Sequence, residues 1–542
     1  MLTGAPNREN AWAQLSKPWD VIVVGGGITG AGILREGSRL GLRVLMVEQN
    51  DFASGTSSRS SKLVHGGLRY LNNFQFRMTY RSVCERDTLL AQGAGLIEPL
   101  PFLYPTYEDD TYPSWMMEIG LRMYGWMGRK WRAHETLNTR EIEMMAPGLA
   151  LRDLTGGFRF FDAQTDDARL VLRVIREGTA TGRALALNYA RVEGLLRDAR
   201  GQVNGVIVRD RLTRRTYEAQ ARAVVNATGA WADRLREQVG ASRRIRPLRG
   251  SHLLFDHSRF PVYQAISFPH PDDGRPVFVF PWEGISLLGT TDLDHRDDLD
   301  REPRISPEEV DYLLRAVQAH FPRFGLTEQD IITTFAGVRP VISKGEDVAP
   351  SKESREHALW DEHGLLTVTG GKLTTFRCIA LDALRALRGR LPDMPPIRDE
   401  MEALDPLTVV DEPPPGLTPV DALRLAARYG EGILPFAASC PPAERERIGD
   451  LPVHWLELRW AARHEAVVHL DDLLLRRVRL GLLLPDGGVS LLPRIRALVQ
   501  PELGWDEPRW AREVEDYMQR WRYAYSLPDE ARQQVRDRIV HE

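Results

Sequence analysis

Residues 19–54 read WDVIVVGGGITGAGILREGSRLGLRVLMVEQNDFAS, and this stretch decides the fold. Asp20 to Val24 is a short apolar run of the kind that forms a buried parallel strand. Gly25-x-Gly27-x-x-Gly30 follows at once, and Ala31 to Leu40 then has helical character, stopped by Gly41. Arg43 to Val47 is a second strand, ending on Glu48. Strand, glycine turn, helix, strand and acid in this order make a dinucleotide-binding unit. Gly25 allows the tight turn, Gly27 lets the backbone approach a pyrophosphate, and Gly30 lets the helix pack close to the sheet. The helix N-terminus then offers free N–H groups and a positive dipole end to phosphates. Glu48 stands where a carboxylate can accept ribose hydroxyls.

The pattern favours FAD over a nicotinamide cofactor. Instead of further alternating strands and helices, a Ser/Thr-rich loop follows at Ser54 to Ser61. A second signature lies far downstream in Val224-Val225-Asn226-Ala227-Thr228-Gly229, an apolar strand ending in small residues that permit close approach. No second glycine turn with a downstream acid is present to hold a nicotinamide.

The next stretch, Gly55-Thr-Ser-Ser-Arg-Ser-Ser-Lys-Leu-Val-His-Gly-Gly-Leu-Arg-Tyr-Leu71, carries a more specific signal. With the glycine turn it resembles the FAD-dependent, quinone-linked glycerol-3-phosphate dehydrogenase family. Arg249-Gly-Ser-His252, Gly289-Thr-Thr-Asp292, Gly337-Val-Arg-Pro340 and Gly370-Gly-Lys-Leu-Thr-Thr375 extend the likeness in order to about residue 395. The resemblance implies an α/β fold: a Rossmann-like FAD-binding domain with a β-rich substrate domain inserted in it, plus a C-terminal all-α domain. Its implied FAD contacts are Gly25, Gly27, Ile28, Gly30, Glu48, Thr56, Ser57, Ser58, Ser61, Lys62, Leu63, His65, Val192, Ala227, Thr228, Gly229, Gly371, Lys372, Leu373 and Thr374.

The discontinuous FAD-binding domain is expected at 19–85, 150–245 and 335–395, and the substrate or cap domain at 86–149 and 246–334. A proline-stiffened linker, Asp405-Pro…Asp411-Glu-Pro-Pro-Pro-Gly416, precedes the helical C-terminal domain at 405–542. Helical patterns are expected there at 419–429, 454–467, 469–480 and 508–523, and Asp166-Asp167 is expected to start an earlier helix. Residues 1 to about 18 read as a polar lead-in, compatible with a short helix laid on the surface, and Leu185 to Ala219 as a small β-meander.

The formal net charge of −4 argues against general affinity for nucleic acid. Cys84, Cys378 and Cys440 lie far apart, without metal or disulfide spacing, which fits a reducing compartment. His454, His464 and His469 lack supporting ligands at metal spacing, so no metal site is expected. The N-terminus has no signal-peptide core and no apolar run of 18 residues occurs, so any membrane contact is expected to be peripheral. The expected location is the cytoplasm, against the inner face of the cell membrane. A homodimer is compatible with this reading.

Chemistry on a phosphorylated polyol needs a proton acceptor and cationic donors to a dianion. The chain has six lysines, so a lysine inside a motif carries more information than an arginine. The resemblance places His65, Arg69, Arg339 and Lys372 in catalysis, with Arg69, Tyr70, His252, Arg339, Arg355 and Lys372 binding sn-glycerol 3-phosphate. Arg355 lies in a stretch that reads equally as an exposed loop. His65 is the favoured base, His252 the alternative, and for His252 a packing role is the stronger reading. The implied reaction gives dihydroxyacetone phosphate, with hydride to FAD and electrons to a membrane quinone. An oxidase using O2 is the alternative, as is a non-catalytic flavoprotein; the cationic cluster speaks against amino-acid substrates. Trp115, Met116, Ile119, Met123, Trp126 and Met127 recur at helical spacing before Arg129, Lys130 and Arg132. That suits either an interfacial helix at a lipid surface or an ordinary helix packed on the core.

Overall fold

The structure is a computed structural model that describes residues 8–68, 75–110, 113–128, 134–343, 356–398, 402–407 and 412–529. Its first sheet runs in the order His357–Glu362, Leu365–Gly370, Thr216–Asn226, Trp19–Val24, Val44–Val47, Ala184–Leu187. All these neighbours pair in parallel except the first two strands. Both faces are covered, which is why Asp20 to Val24 does not alternate in polarity. Val21 and Val23 pack under the helices Ile28–Arg39, Asp167–Ala180 and Phe376–Ala386. Ile22 and Val24 face the other way, onto Trp12, Leu15 and the meander residues Val206 and Val208.

The expected meander is present as Ala190–Arg197 and Val203–Asp210, the latter antiparallel to the first half of Thr216–Asn226. The N-terminal segment does contain a short helix, but it is packed into the fold rather than laid on the surface. Its helix Arg8–Ala13 buries Trp12 against Tyr217, with ring centroids 4.8 Å apart, and Arg8 bonds to the Asn188 carbonyl at 2.9 Å.

The second sheet takes strands from both excursions: Leu293–Asp294, Ile245–Asp256, Ile285–Gly289, Pro276–Trp282, Ala265–Pro269, Ile97–Tyr107, Leu154–Thr165 and Leu63–Val64. Two expected boundaries, at 150 and 335, move. Leu154–Thr165 pairs along its length with Ile97–Tyr107, and Ile331–Ile342 with Ile245–Asp256. The backbone donors and acceptors of both strands are therefore satisfied in the second sheet rather than the first.

The C-terminal part is helical, with Pro419–Tyr429, Trp455–His464, Leu492–Leu503 and Glu507–Ala524 as its longer members. Thr418 and Asp506 accept from backbone N–H groups and start two of these helices. The expected helix over 469–480 is broken. A π-helical turn at Asp472–Arg477 is followed by Arg479 at φ 63° and a short helix, Leu480–Leu483. His454 caps a helix, His464 packs on Trp460 at 4.2 Å, and His469 Nδ1 lies 3.0 Å from Glu513.

Candidate active site

At the glycine turn, Gly25 adopts φ +115°, and a Cβ there would lie 2.5 Å from the Ala227 carbonyl oxygen. A Cβ on Gly30 would run into the carbonyl oxygen of Gly25. Gly27 differs: the nearest atom to an added Cβ is Ser57 Oγ at 3.0 Å, and the residue borders open space. Ser57 Oγ also accepts from Ile28 N at 3.0 Å, tying the Ser/Thr loop to the helix start. Glu48 accepts from Gly26 N at 2.7 Å and from Asn50 N at 2.9 Å. Burial raises the pKa of its carboxyl above the ordinary value, and these two bonds oppose the shift. The turn, the helix start and the acid thus form a cradle in which side chains are left out where a dinucleotide would lie, and the residues fit FAD.

The cradle opens into a cavity of about 1460 Å³. Of the expected FAD contacts, Gly25, Gly27, Ile28, Glu48, Thr56, Ser57, Ser61, Leu63, His65, Val192, Ala227, Thr228, Gly229, Gly371, Lys372, Leu373 and Thr374 line it. The far end adds Arg339, together with Phe102, Tyr104, Phe160 and Phe278 from the second sheet.

His65 lies on the cavity wall, with its backbone N–H donating to Thr374 Oγ1 at 3.2 Å. The following Gly66 N donates to Tyr124 Oη at 2.8 Å, and Tyr124 in turn donates to Asp162 at 2.6 Å. Lys372 Nζ donates to Ser82 Oγ at 3.0 Å. Arg339 is aimed by its neighbours: Nη1 donates to Asp292 at 2.9 Å and Nη2 to Thr290 Oγ1 at 3.2 Å. Its guanidinium fills the space a Cβ on Gly250 would need, so the Arg249-Gly-Ser-His252 glycine makes room for it.

Four expected contacts do not face the cavity. Gly30 acts through packing alone. Ser58 is buried, and its carbonyl accepts from Lys62 Nζ at 2.7 Å. Lys62 is fully buried, and its ammonium sits 2.9 Å from both oxygens of Asp167 and 4.7 Å from the centre of the Phe335 ring. Burial lowers its pKa to about 8, with Asp167 opposing that shift. His252 is also corrected as a substrate contact. Its ring is buried, stacks on Phe335 at 4.5 Å, and meets Ser61 Oγ through Nε2 at 2.9 Å. Burial, then Arg339 and Lys62, hold it well below the ordinary histidine pKa, so it stays neutral behind the wall. Arg69, Tyr70 and Arg355 lie outside the described residues.

Asp292 and Thr290 escaped assignment from sequence although Gly289-Thr-Thr-Asp292 stood out as a motif. Only the pairing of Ile245–Asp256 with both Ile285–Gly289 and Ile331–Ile342 brings them beside Arg339. Tyr124 and Asp162 had no signal of their own: one reads as an aromatic in an amphipathic helix, the other as a strand residue.

A parallel sheet with this cradle, joined through one cavity to a second sheet, defines an FAD-dependent oxidoreductase. Residues 20–377 match the family model described as FAD dependent oxidoreductase, and residues 397–510 match the C-terminal domain of alpha-glycerophosphate oxidase. The aerobic glycerol-3-phosphate dehydrogenase of Bacillus subtilis is 38% identical over 383 residues, 70% of this chain and 68% of that relative. The crystal structure of the glycerol-3-phosphate dehydrogenase from Bacillus halodurans complexed with FAD superposes with a TM-score of 0.74 at 29% identity, covering 96% of this chain and 98% of that one. The chain belongs to the FAD-dependent glycerol-3-phosphate dehydrogenase family. The L-alpha-glycerophosphate oxidase of Mycoplasma pneumoniae shares the fold over 69% of this chain and 95% of its own, at 17% identity and a TM-score of 0.55.

Proposed function

We propose that the chain oxidises sn-glycerol 3-phosphate to dihydroxyacetone phosphate and passes the electrons to a membrane quinone. The observation that carries this reading is the continuity of the cavity from the glycine cradle to His65, Arg339 and Lys372. When bound, FAD supplies the hydride acceptor. Arg339 and Lys372 neutralise the phosphate, and Asp292 and Thr290 keep the Arg339 fork in one orientation. His65 takes the hydroxyl proton, a role closed to His252 because its ring lies behind Ser61. Arg69, Tyr70 and Arg355 complete the proposed substrate contacts. The test is an anaerobic titration of the flavin spectrum. Glycerol 3-phosphate should bleach the parent enzyme, while glycerol should do so very poorly. Arg339→Ala should retain FAD and lose about 10- to 150-fold in kcat/KM, the worth of one charge-assisted bond. Comparable bleaching by glycerol would refute the phosphate-binding role.

The quinone side of the proposal draws on the helix Ser114–Met127. Leu121, Tyr124 and Met127 are its buried face, whereas Trp115, Met116, Ile119, Met123 and Trp126 are exposed, Trp126 at 87%. Met116, Met117 and Gly120 border the cavity, so the apolar face adjoins the site. Among the described residues no helix is long and apolar enough to cross a membrane. Exposed Trp and Met beside a cavity mouth suit peripheral contact with lipid, at the inner face of the cell membrane, where a lipophilic acceptor resides. Arg129, Lys130 and Arg132 lie outside the described residues. Vesicle flotation of a Trp115→Ser/Trp126→Ser variant should show weaker binding than the parent; equal binding would remove this helix from the contact. The alternative acceptor is O2, for which steady peroxide formation without quinone is the sign.

A further inference from the structure

Lys62 stood out in sequence as a rare lysine inside a motif, yet its ammonium turns away from the cavity. It reaches Asp167, and so does the C-terminal domain. Arg479 pairs with the same Asp167 and donates through Nε to Asp166 at 3.0 Å. Asp167 also accepts from Ser60 N at 3.0 Å and Ser60 Oγ at 2.7 Å, and Ser60 lines the cavity. A second grip lies at the other end of the same loop. Asp51 accepts from Arg476 Nε and Arg477 Nη1, each at 2.6 Å, and from Arg477 Nη2 at 2.8 Å. A third bears on Arg59, beside Ser60: Tyr525 Oη accepts from Arg59 Nη2 at 3.1 Å and donates to Glu302 at 2.8 Å, and Glu302 also pairs with Arg59 directly. All these charged groups except Glu302 are buried.

We infer that the C-terminal helical domain is a positioning clamp for the cofactor loop Asp51–Lys62. It fixes both ends of the loop through the Arg476–Arg479 turn and reinforces the second end at Arg59 through Tyr525. The loop carries Ser54, Gly55, Thr56, Ser57, Ser60 and Ser61 to the cavity wall, and Ser57 joins it to the helix start at Ile28. Its backbone makes local turns, Ser54 N to Asp51 O at 3.1 Å and Arg59 N to Thr56 O at 3.1 Å, and is tied to the rest of the chain near its two ends, by Ala53 N to Gly26 O at 3.0 Å and Thr165 N to Lys62 O at 2.9 Å. Between those two ties the loop rests on side-chain contacts, Thr56 on the Val338 carbonyl and Ser57 on the helix start in front, and Asp51, Arg59 and Lys62 gripped from behind. The broken helix follows from the same demand. Continuing as an α-helix would space Arg476, Arg477 and Arg479 around the axis, whereas the π turn and the left-handed Arg479 let all three meet buried carboxylates.

The experiment compares full-length Arg479→Met with Arg424→Met. Both remove a buried arginine that links the C-terminal domain to the rest of the chain, and both leave the carboxylates otherwise paired. Arg479→Met leaves Asp167 with Lys62 and Asp166 with Arg428. Arg424→Met leaves Glu283 with Arg428 and Glu457 with Tyr429, with no contact to the cofactor loop. The readouts are thermal unfolding of the FAD-free proteins and the FAD dissociation constant. Both variants should unfold earlier than the parent. Only Arg479→Met should bind FAD at least about tenfold more weakly, with part of the affinity restored in Arg479→Lys. Tyr525→Phe, which keeps the ring and loses the bonds to Arg59 and Glu302, should weaken FAD in the same direction and decides the matter if Arg479→Met does not fold. FAD affinities equal to that of Arg424→Met in these variants would overturn the clamp.

Discussion

The cavity is walled at one end by Gly25 and Gly27, with Gly30 packed behind them, and at the other by His65, Arg339 and Lys372, and the two ends are built by opposite means. The glycine end is made by omission. Its shape comes from backbone packed so closely that Gly25 and Gly30 have no room for a Cβ, and apart from the Ala227 carbonyl that closes on Gly25, the turn, helix start and acid that define it lie within about thirty positions. The far end is made by convergence. His65 is held by Thr374 and the Gly66–Tyr124 bond, Arg339 by residues of a different strand and turn, and Lys372 by Ser82 of the helix Phe76–Gln92. A local motif can make a cradle for a cofactor. Placing charge and a base against it takes segments hundreds of residues apart.

The largest expected effect separates two uses of glycine within the first end. Gly30→Val should fail to give folded protein, because the side chain meets the Gly25 carbonyl. Gly27→Val should fold, because the nearest obstacle is one serine hydroxyl at 3.0 Å, yet lose FAD because the side chain occupies the cradle. Far-ultraviolet circular dichroism and the FAD-to-protein ratio report the two outcomes. A folded, flavin-loaded Gly27→Val would place the pyrophosphate elsewhere.

At the far end the two histidines should part company. His65→Gln should retain FAD and lose about 10² to 10⁴ in turnover, the range for removing a general base. His252→Gln keeps a polar partner for Ser61 and should leave turnover much closer to the parent, since the ring it replaces never reaches the cavity. Equal losses in anaerobic flavin reduction would mean that the wall between His252 and the cavity opens during turnover.

A smaller effect distinguishes the ends by pH. Burial lowers the Lys62 pKa to about 8, from an ordinary 10.5. Below pH 8 the lysine is charged in both folded and unfolded chains, and the cost of burying its charge is present in full. Between about 8 and 10.5 the unfolded chain binds more protons, so this group makes the fold relatively more stable as pH rises. The stability difference between parent and Lys62→Met should therefore move in favour of the parent across that window, as measured by denaturant unfolding. A pH-independent difference would show that Lys62 keeps its proton throughout.

The first sheet was legible because both of its faces are covered. A strand buried on both sides must be apolar throughout, and Asp20 to Val24, Val44 to Val47 and Ala223 to Val225 announce themselves in that way. The strands Leu154–Thr165 and Ile331–Ile342 were misassigned because a strand's own residues do not say which sheet it joins. Only the pairing partner does. Arg339 and Lys372 were recognisable inside short glycine-bearing motifs, while Asp292, Tyr124 and Asp162 were not, because each acts by fixing another residue from a distant segment.

Sequence by itself determined the glycine turn, the acid at the end of the second strand, the cofactor class and the family, because each depends on backbone room or on residues in a fixed local order. Tertiary structure alone decided that Lys62 and His252 stand behind the cavity wall rather than in it. It also decided that Arg476, Arg477 and Arg479 close on Asp51, Asp166 and Asp167. The physical reason is that a buried charge is tolerated only where a partner meets it. In this chain those partners lie hundreds of residues away, where no local pattern can point to them.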